Sequence, residues 1–452
     1  MSQVKGQSYA MTTMESQSID IPFSKHILGN QLQVIIHEDH ACTLAAVNLW
    51  YHVGSKNEAA GRTGFAHLFE HLMFEPSKHF GTTYFELLQR AGGQINGSTN
   101  TDRTNYWELV PSNALELALW MESDRMMHML PSLTATAFET QRDVVLNERR
   151  QNYENRPYGL AIVALTEALF PPGHPYHWIT IGAPADLRSA TLGDVQTFFR
   201  QFYHPANASL TVAGDVDPAA VLDLVNDYFG ACPAGEAPPV VALAPAHATA
   251  SRRVLEDRVE LPRLYAAWLT PANFADGDAD LDLASDILAG GKPSRLYRRL
   301  VYEERIATDV SASQSSRELG GFFAVAVTAV PGVGLDVVER AVAGELETFA
   351  REGPADDELA RAKALTETSF VSRLQHVGGF GGRSDQLNSY NVSLGDPGFF
   401  TRDLDRYRDA TTQSIRKAAA GHLQPGHQVT LSVVPAGRAD LAVSGSDMVK
   451  VS

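Results

Sequence analysis

Cysteine is nearly absent: Cys42 and Cys232 are the only two in 452 residues. Two thiols build neither a disulfide framework nor a metal cluster, and both are expected as ordinary buried thiols. Long apolar runs are also missing. No stretch approaches the roughly 18 consecutive apolar residues that cross a bilayer. Met1 to Ser18 is polar, with Lys5 its one basic residue and no apolar core, so it reads as neither a signal nor a transit peptide. The expected location is the cytoplasm, although a periplasmic chain stripped of its signal would read the same. Basic residues are outnumbered, 37 against 53 acidic, for a net charge of −16. Nucleic acid is a poor partner for such a chain, because binding it needs a basic footprint. The acidity reads first as a solvated surface, and an acidic chamber that draws in cationic peptides is the narrower alternative.

What is present is enough apolar residue, 44% of the chain, to build real cores, over a length that suggests two to four domains. Leu28 to His37 reads as a strand pair turning at Gly29-Asn30, and Thr43 to Val53 as a further strand. Helical patterns follow near Gly64–Glu75, Tyr84–Ala91, Asn113–Met127 and Ala137–Tyr153. Ala208 to Ala213 is a strand, and Pro218 opens a helix that runs to Phe229. From Gly230 to Ala250 the chain turns to Ala, Pro and Gly with almost no charge, the signature of a linker. The order then recurs. Strands are expected near Arg252–Leu261, Leu264–Leu269, Thr308–Ser313, Phe322–Val327 and Gln428–Val434. Helices are expected near Ala279–Leu288, Leu335–Glu352, Asp356–Leu374 and Gly395–Ala420. The reading is two copies of one α+β domain, 15–230 and 251–441, joined by a linker at 231–250. Each would hold a mixed or antiparallel sheet flanked by helices.

The chemistry concentrates in His67-Leu68-Phe69-Glu70-His71. At 100° per residue, with His67 at zero, Glu70 falls at about 300° and His71 at about 40°, whereas Phe65, Leu68, Phe69 and Leu72 lie between about 100° and 200°. One face of the helix therefore anchors in a core. The other presents two imidazoles one turn apart, able to hold one ion at about 2.0–2.1 Å, with Glu70 beside them to take a proton from an attacking water. By chance this pattern occurs on the order of a few hundredths of a time in such a chain. The bland alternative is an exposed face carrying two surface histidines. A catalytic zinc takes three protein ligands, and Glu148 is the candidate third, on a stripe shared with Val144 and Val145. Its own bland alternative is a helix glutamate paired with Arg149 or Arg150.

His67-x-x-Glu70-His71 with Glu148 farther on resembles the pitrilysin/insulinase family of inverted-motif zinc peptidases, which includes the mitochondrial processing peptidases. The resemblance covers most of the chain. It implies one zinc ion on His67, His71 and Glu148, with Glu70 as the general base activating a water on the metal. Gly92 to Thr99, followed by Asp102-x-Thr104-x-Tyr106, resembles the family's edge strand, which implies that Asn96 and Gly97 bind an extended peptide through main-chain hydrogen bonds. Arg383 and Tyr390, at i and i+7, resemble the family's Arg/Tyr pair, with implied roles in gripping a peptide carbonyl and stabilising the oxyanion. Gly290 to Tyr297 and Glu303 to Ala307 also look familial, in a structural role. Many relatives carry a glutamate seven residues before the ligand glutamate, and here that position is Gln141, which removes a charge next to the metal shell.

The implied architecture is a processing-peptidase-like half-clamshell, and the implied activity is a zinc-dependent endopeptidase acting on peptides in a dimeric chamber. In that arrangement a homodimer is expected, with each site completed by Arg383 and Tyr390 of the partner. Two alternatives stand beside it: a non-catalytic structural or binding subunit of the same fold, and the catalytic partner of a heterodimeric processing peptidase.

Overall fold

A computed structural model describes residues 20–81, 84–239, 241 and 249–451. Met1 to Ser18, the first residues of the expected 15–230 domain, and the middle of the expected linker (240 and 242–248) lie outside the described residues. Two six-stranded sheets organise the rest. The first holds β1 (Ser24–Ile27), β2 (Gln33–Glu38), β3 (Leu44–Tyr51), β4 (Gln94–Thr99), β5 (Thr104–Pro111) and β6 (Ala208–Gly214), in the order β1-β2-β6-β3-β5-β4. The second holds β7 (Ser251–Asp257), β8 (Arg263–Thr270), β9 (Ala307–Ser315), β10 (Gly321–Ala329), β11 (Val429–Pro435) and β12 (Asp447–Met448), in the order β12-β7-β11-β8-β10-β9.

The two orders are the same topology written twice. β2 pairs with β6 in parallel, as β7 pairs with β11, while β3 and β8 run antiparallel to their neighbours. Only the outer strand differs. β1 precedes β2 and runs antiparallel to it, whereas β12 comes from the far C-terminus, beyond residue 441, and runs parallel to β7.

Central strands are buried on both faces, which explains why β3 is apolar at every position but Asn48. Side chains alternate across a strand. Val47, Leu49 and Tyr51 enter one core with Phe65, Leu68, Phe69 and Leu72 of the motif helix. Asn48 and Trp50 face the other way, onto helix Arg383–Leu394 from the second half of the chain. The second sheet mirrors this arrangement. Leu264, Ala266 and Trp268 enter its own helical core. Its opposite face, with Leu255, Ala267, Phe322, Val429, Leu431 and Val433, packs on Ala161, Leu165 and Leu169 of a helix from the first half. Each half thus lends a helix to the other.

The two exchanges differ in chemistry. The helix lent by the first half makes an apolar contact. The one lent by the second half makes a buried polar contact, along a stripe at i, i+3 and i+6. Asp385 accepts hydrogen bonds from Trp50 (3.0 Å) and Asn105 (3.1 Å), and its second oxygen accepts from the Gly381 amide (2.8 Å). Asn388 donates to the Asn48 carbonyl at 2.7 Å and accepts from Ser209 at 2.7 Å, while Asn391 donates to Ser209 at 2.8 Å. A buried network satisfied on so many sides fixes register between the halves more than it adds stability.

The expected helix over Gly395–Ala420 is corrected. The chain forms helix Phe400–Arg408, breaks, and starts again as Thr412–His422. Thr411 causes the restart: its side chain accepts from the Ser414 amide, and the Ser414 hydroxyl accepts from the Thr411 amide, a reciprocal cap. The segment between Tyr153 and Ala208, unassigned from sequence, carries helices Ala161–Leu169, Pro184–Ser189 and Leu192–Phe202.

Candidate metal centre

The motif helix, Phe65–Leu72, buries Phe65, Leu68, Phe69 and Leu72, each at most 3% exposed. Its His67, Glu70 and His71 face is half-open, as the helical wheel requires. Gly64 starts the helix at φ 90°, a left-handed conformation suited to glycine. Its backbone lies against Gly182, where an added Cβ would sit 2.4 Å from the Gly64 Cα. Glu58 completes the start, accepting from the Gly64 amide (2.9 Å) and the Ala66 amide (2.8 Å). Burial nevertheless pushes its carboxyl up to about 8, against the pull of those amides.

Glu148 ends a second helix, Ala135–Arg149. The neighbouring Arg149 is buried and donates to the Gly182 carbonyl at 2.6 Å and to Glu154 at 3.1 Å. Gly182 therefore touches both the start of the histidine helix and the end of the glutamate helix, and it sets their spacing. Arg150 bonds Asn147. With both arginines placed elsewhere, Glu148 turns to the histidines, and its other oxygen accepts from Asn152 at 3.2 Å. The stripe expected from sequence holds only in part: Val145 is fully buried, but Val144 is 41% exposed, so Glu148 sits at the rim of an open face.

The three side chains converge. The Glu148 Oε2 lies 3.6 Å from His67 Nε2 and 3.4 Å from His71 Nε2. A tetrahedral ion with ligands at about 2.0–2.1 Å separates its donors by roughly 3.3–3.4 Å, so the group fits zinc with little adjustment. Protonation states agree. Burial and the His71 charge push His67 down to about 4, which keeps its imidazole neutral. The hydrogen bond from His71 holds Glu148 below the ordinary carboxylate range. A neutral His67 imidazole and an ionised Glu148 carboxylate are the forms that bind a metal. His67 Nδ1 is buried without a hydrogen-bond partner among the described residues, so the outer support usual for a metal-binding histidine is missing on that side.

Glu70 is mostly buried, and burial raises its carboxyl, against a hydrogen bond from Thr99 and the charges of His71 and Arg103. Thr99 belongs to β4, which ends its sheet with no strand paired on its outer side among the described residues. Asn96 is exposed on that edge. Gly97 is buried, and a Cβ there would lie 3.1 Å from the rings of both Phe74 and Tyr106.

The remaining expected residues lie elsewhere. Gln141 donates to Glu75 at 2.6 Å rather than to a member of the converging group. Arg383 is paired with Asp39 at 2.5 Å. Tyr390 is 3% exposed, its ring against Phe274 and Phe399 and its hydroxyl donating to Asp403 at 2.8 Å. Sequence reasoning missed Glu58 and Gly182, whose spacing from the motif follows no helical or capping pattern. It reached Thr99 only as the end of the edge-strand stretch and gave Arg103, between Asp102 and Thr104, no role.

Residues 33–171 match the family described as Insulinase (Peptidase family M16), and residues 189–366 match the one described as Peptidase M16 inactive domain. The zinc protease PqqE of Helicobacter pylori is 28% identical over 369 residues, covering 80% of this chain and 82% of that protein. A solved structure of a protease from Helicobacter pylori superposes with a TM-score of 0.84 at 26% identity, covering 92% of this chain and all of the other. A peptidase M16 inactive domain from Pseudomonas fluorescens shares the fold, with a TM-score of 0.81, 18% identity, and coverage of 92% and 98%. Among the described residues no helix is long and apolar enough to cross a membrane.

Proposed function

We propose that this chain, which belongs to the pitrilysin/insulinase family of M16 peptidases, is a zinc-dependent endopeptidase, with His67, His71 and Glu148 holding the ion and Glu70 as general base. The convergence of three metal-binding donors on one point carries the reading. Zinc bound there supplies a Lewis acid that brings the pKa of water toward neutrality and polarises a scissile carbonyl. Glu70 takes the proton of the attacking water and returns it to the departing amine, and its raised carboxyl suits both halves of that task. Thr99 and Arg103 hold Glu70 toward the open face. A substrate lies along β4 as an added strand, so that main-chain groups near Asn96 and Gly97 recognise it with little regard for sequence. Gly97 lets Phe74 and Tyr106 pack directly beneath the strand.

A peptide-library digest with and without a chelator tests this reading. Internal bonds should be cut by the metal-loaded protein, cleavage should stop on chelation, and added Zn2+ should restore it. Cleavage that continues unchanged in chelator sinks the proposal.

Arg383 and Tyr390 belong to the proposal as residues acting on substrate held by a partner copy in a closed dimer. For that role Tyr390 must leave Asp403. Tyr390→Phe separates the possibilities. An oxyanion role predicts a kcat loss of roughly 10²–10³ with KM little changed. A structural role predicts wild-type kcat and a lower melting temperature, from the loss of one buried hydrogen bond worth about 1 kcal/mol.

A further inference from the structure

Outside the proposed catalytic centre, one other group of three metal-binding side chains lies close together among the described residues: His79, Asp124 and His128. Asp124 and His128 stand one turn apart on helix Leu115–Ser132. His79 reaches them from the segment that follows the motif helix. Their donor atoms all lie within 4.8 Å of one another. His79 Nδ1 meets Asp124 Oδ1, and the His79 and His128 rings stand edge to face with centroids 5.0 Å apart.

An ordinary histidine–aspartate pair explains only part of this. Asp124 is 3% exposed, and its second oxygen, Oδ2, is buried with no hydrogen-bond partner among the described residues. A buried carboxylate oxygen left unpaired bears its desolvation penalty with nothing to offset it. A cation shared with two imidazoles removes that cost and also accounts for the third side chain. Two histidines and one carboxylate suit a borderline-soft divalent transition metal such as Zn2+ or Co2+, and they disfavour Ca2+ and Mg2+, which take oxygen ligands.

We propose that His79, Asp124 and His128 form a second transition-metal site that clamps the segment after the motif helix onto helix Leu115–Ser132. The same segment carries Phe74, the ring beneath Gly97 of β4. The clamp therefore fixes the floor of the edge strand. With three protein ligands and one side facing solvent, the ion exchanges more readily than one in a closed four-ligand site.

Zinc counting on the full chain tests this, by titrating metal-stripped protein with Zn2+ against a chromophoric chelator. Wild type should take up two equivalents. The doubly substituted His79→Ala, His128→Ala protein should take up one. Asp124→Asn keeps the shape of the side chain and should also lose one equivalent, which guards against loss through misfolding. A protein with His67→Ala and His71→Ala should retain one equivalent, lost in turn when His79 and His128 are removed. If the proposed catalytic site instead holds no zinc, wild type and that variant bind equally, and the equivalent at His79 and His128 is still counted. Equal uptake by wild type and by both the His79/His128 and Asp124 variants overturns the second site.

Discussion

Glu70→Gln should lower kcat by roughly 10²–10⁴, or about 3–5 kcal/mol of transition-state stabilisation, while zinc content and KM stay near wild type. Glu70 shares the helix face of His67 and His71 but is not one of the three converging donors, so an amide there should leave the ion in place. Gln can still bond Thr99, which preserves the position of the side chain, yet it cannot accept the water's proton. A His67→Ala or Glu148→Ala protein should differ in kind, losing metal and activity together. Parallel metal analysis and steady-state kinetics on these variants decide the assignment. If Glu70→Gln turns over peptides at the wild-type rate, Glu70 is not the base.

The largest stability effect is expected at Arg125. This residue is fully buried, bonded to Glu122 through Nε at 2.8 Å and through a second, shorter contact, and lies 3.6 Å from Glu108. Its guanidinium also lies over the rings of Tyr84 and Tyr106, at 4.3 and 4.2 Å. Burial and the Glu122 charge raise the Glu108 carboxyl well above the ordinary carboxylate range. Arg125 is thus the cationic partner of two buried carboxyl groups. Arg125→Met fills similar volume but leaves the buried Glu122 without its ion-pair partner, at a cost of about 3–5 kcal/mol. Stabilities of whole proteins are about 5–15 kcal/mol, so the denaturant midpoint should fall sharply. Adding Glu122→Leu should recover much of the loss. A midpoint unchanged in Arg125→Met would show that the cluster holds no net charge balance at all.

The sequence made the motif helix legible because two periodicities coincided there, an apolar stripe and a polar one on opposite sides. Glu148 was legible from a stripe shared with Val144 and Val145 and then from resemblance, and the stripe was half right, since Val144 is exposed. What settled its partner was Arg149, whose bond to the Gly182 carbonyl no local pattern foretells. Tyr390 shows the same limit. Its i,i+7 spacing from Arg383 was visible, but the acceptor that occupies its hydroxyl, Asp403, lies on the next helix. Asp385, Asn388 and Asn391, between and beside those two residues, carried no apolar period and went unread, although they join the halves of the molecule. The break at Thr411 was readable in principle, because Thr411-x-x-Ser414 is a helix start signal inside an otherwise continuous pattern.

The exchange of helices between the two sheets bears on whether either half could stand alone. A lone half would leave one face of its sheet uncovered. In the second half that face is Leu255, Phe322, Val429 and Leu431, an apolar surface that would drive aggregation. Each sheet therefore depends on a helix of the other half for cover, so the two halves are expected to unfold in one transition rather than as independent units.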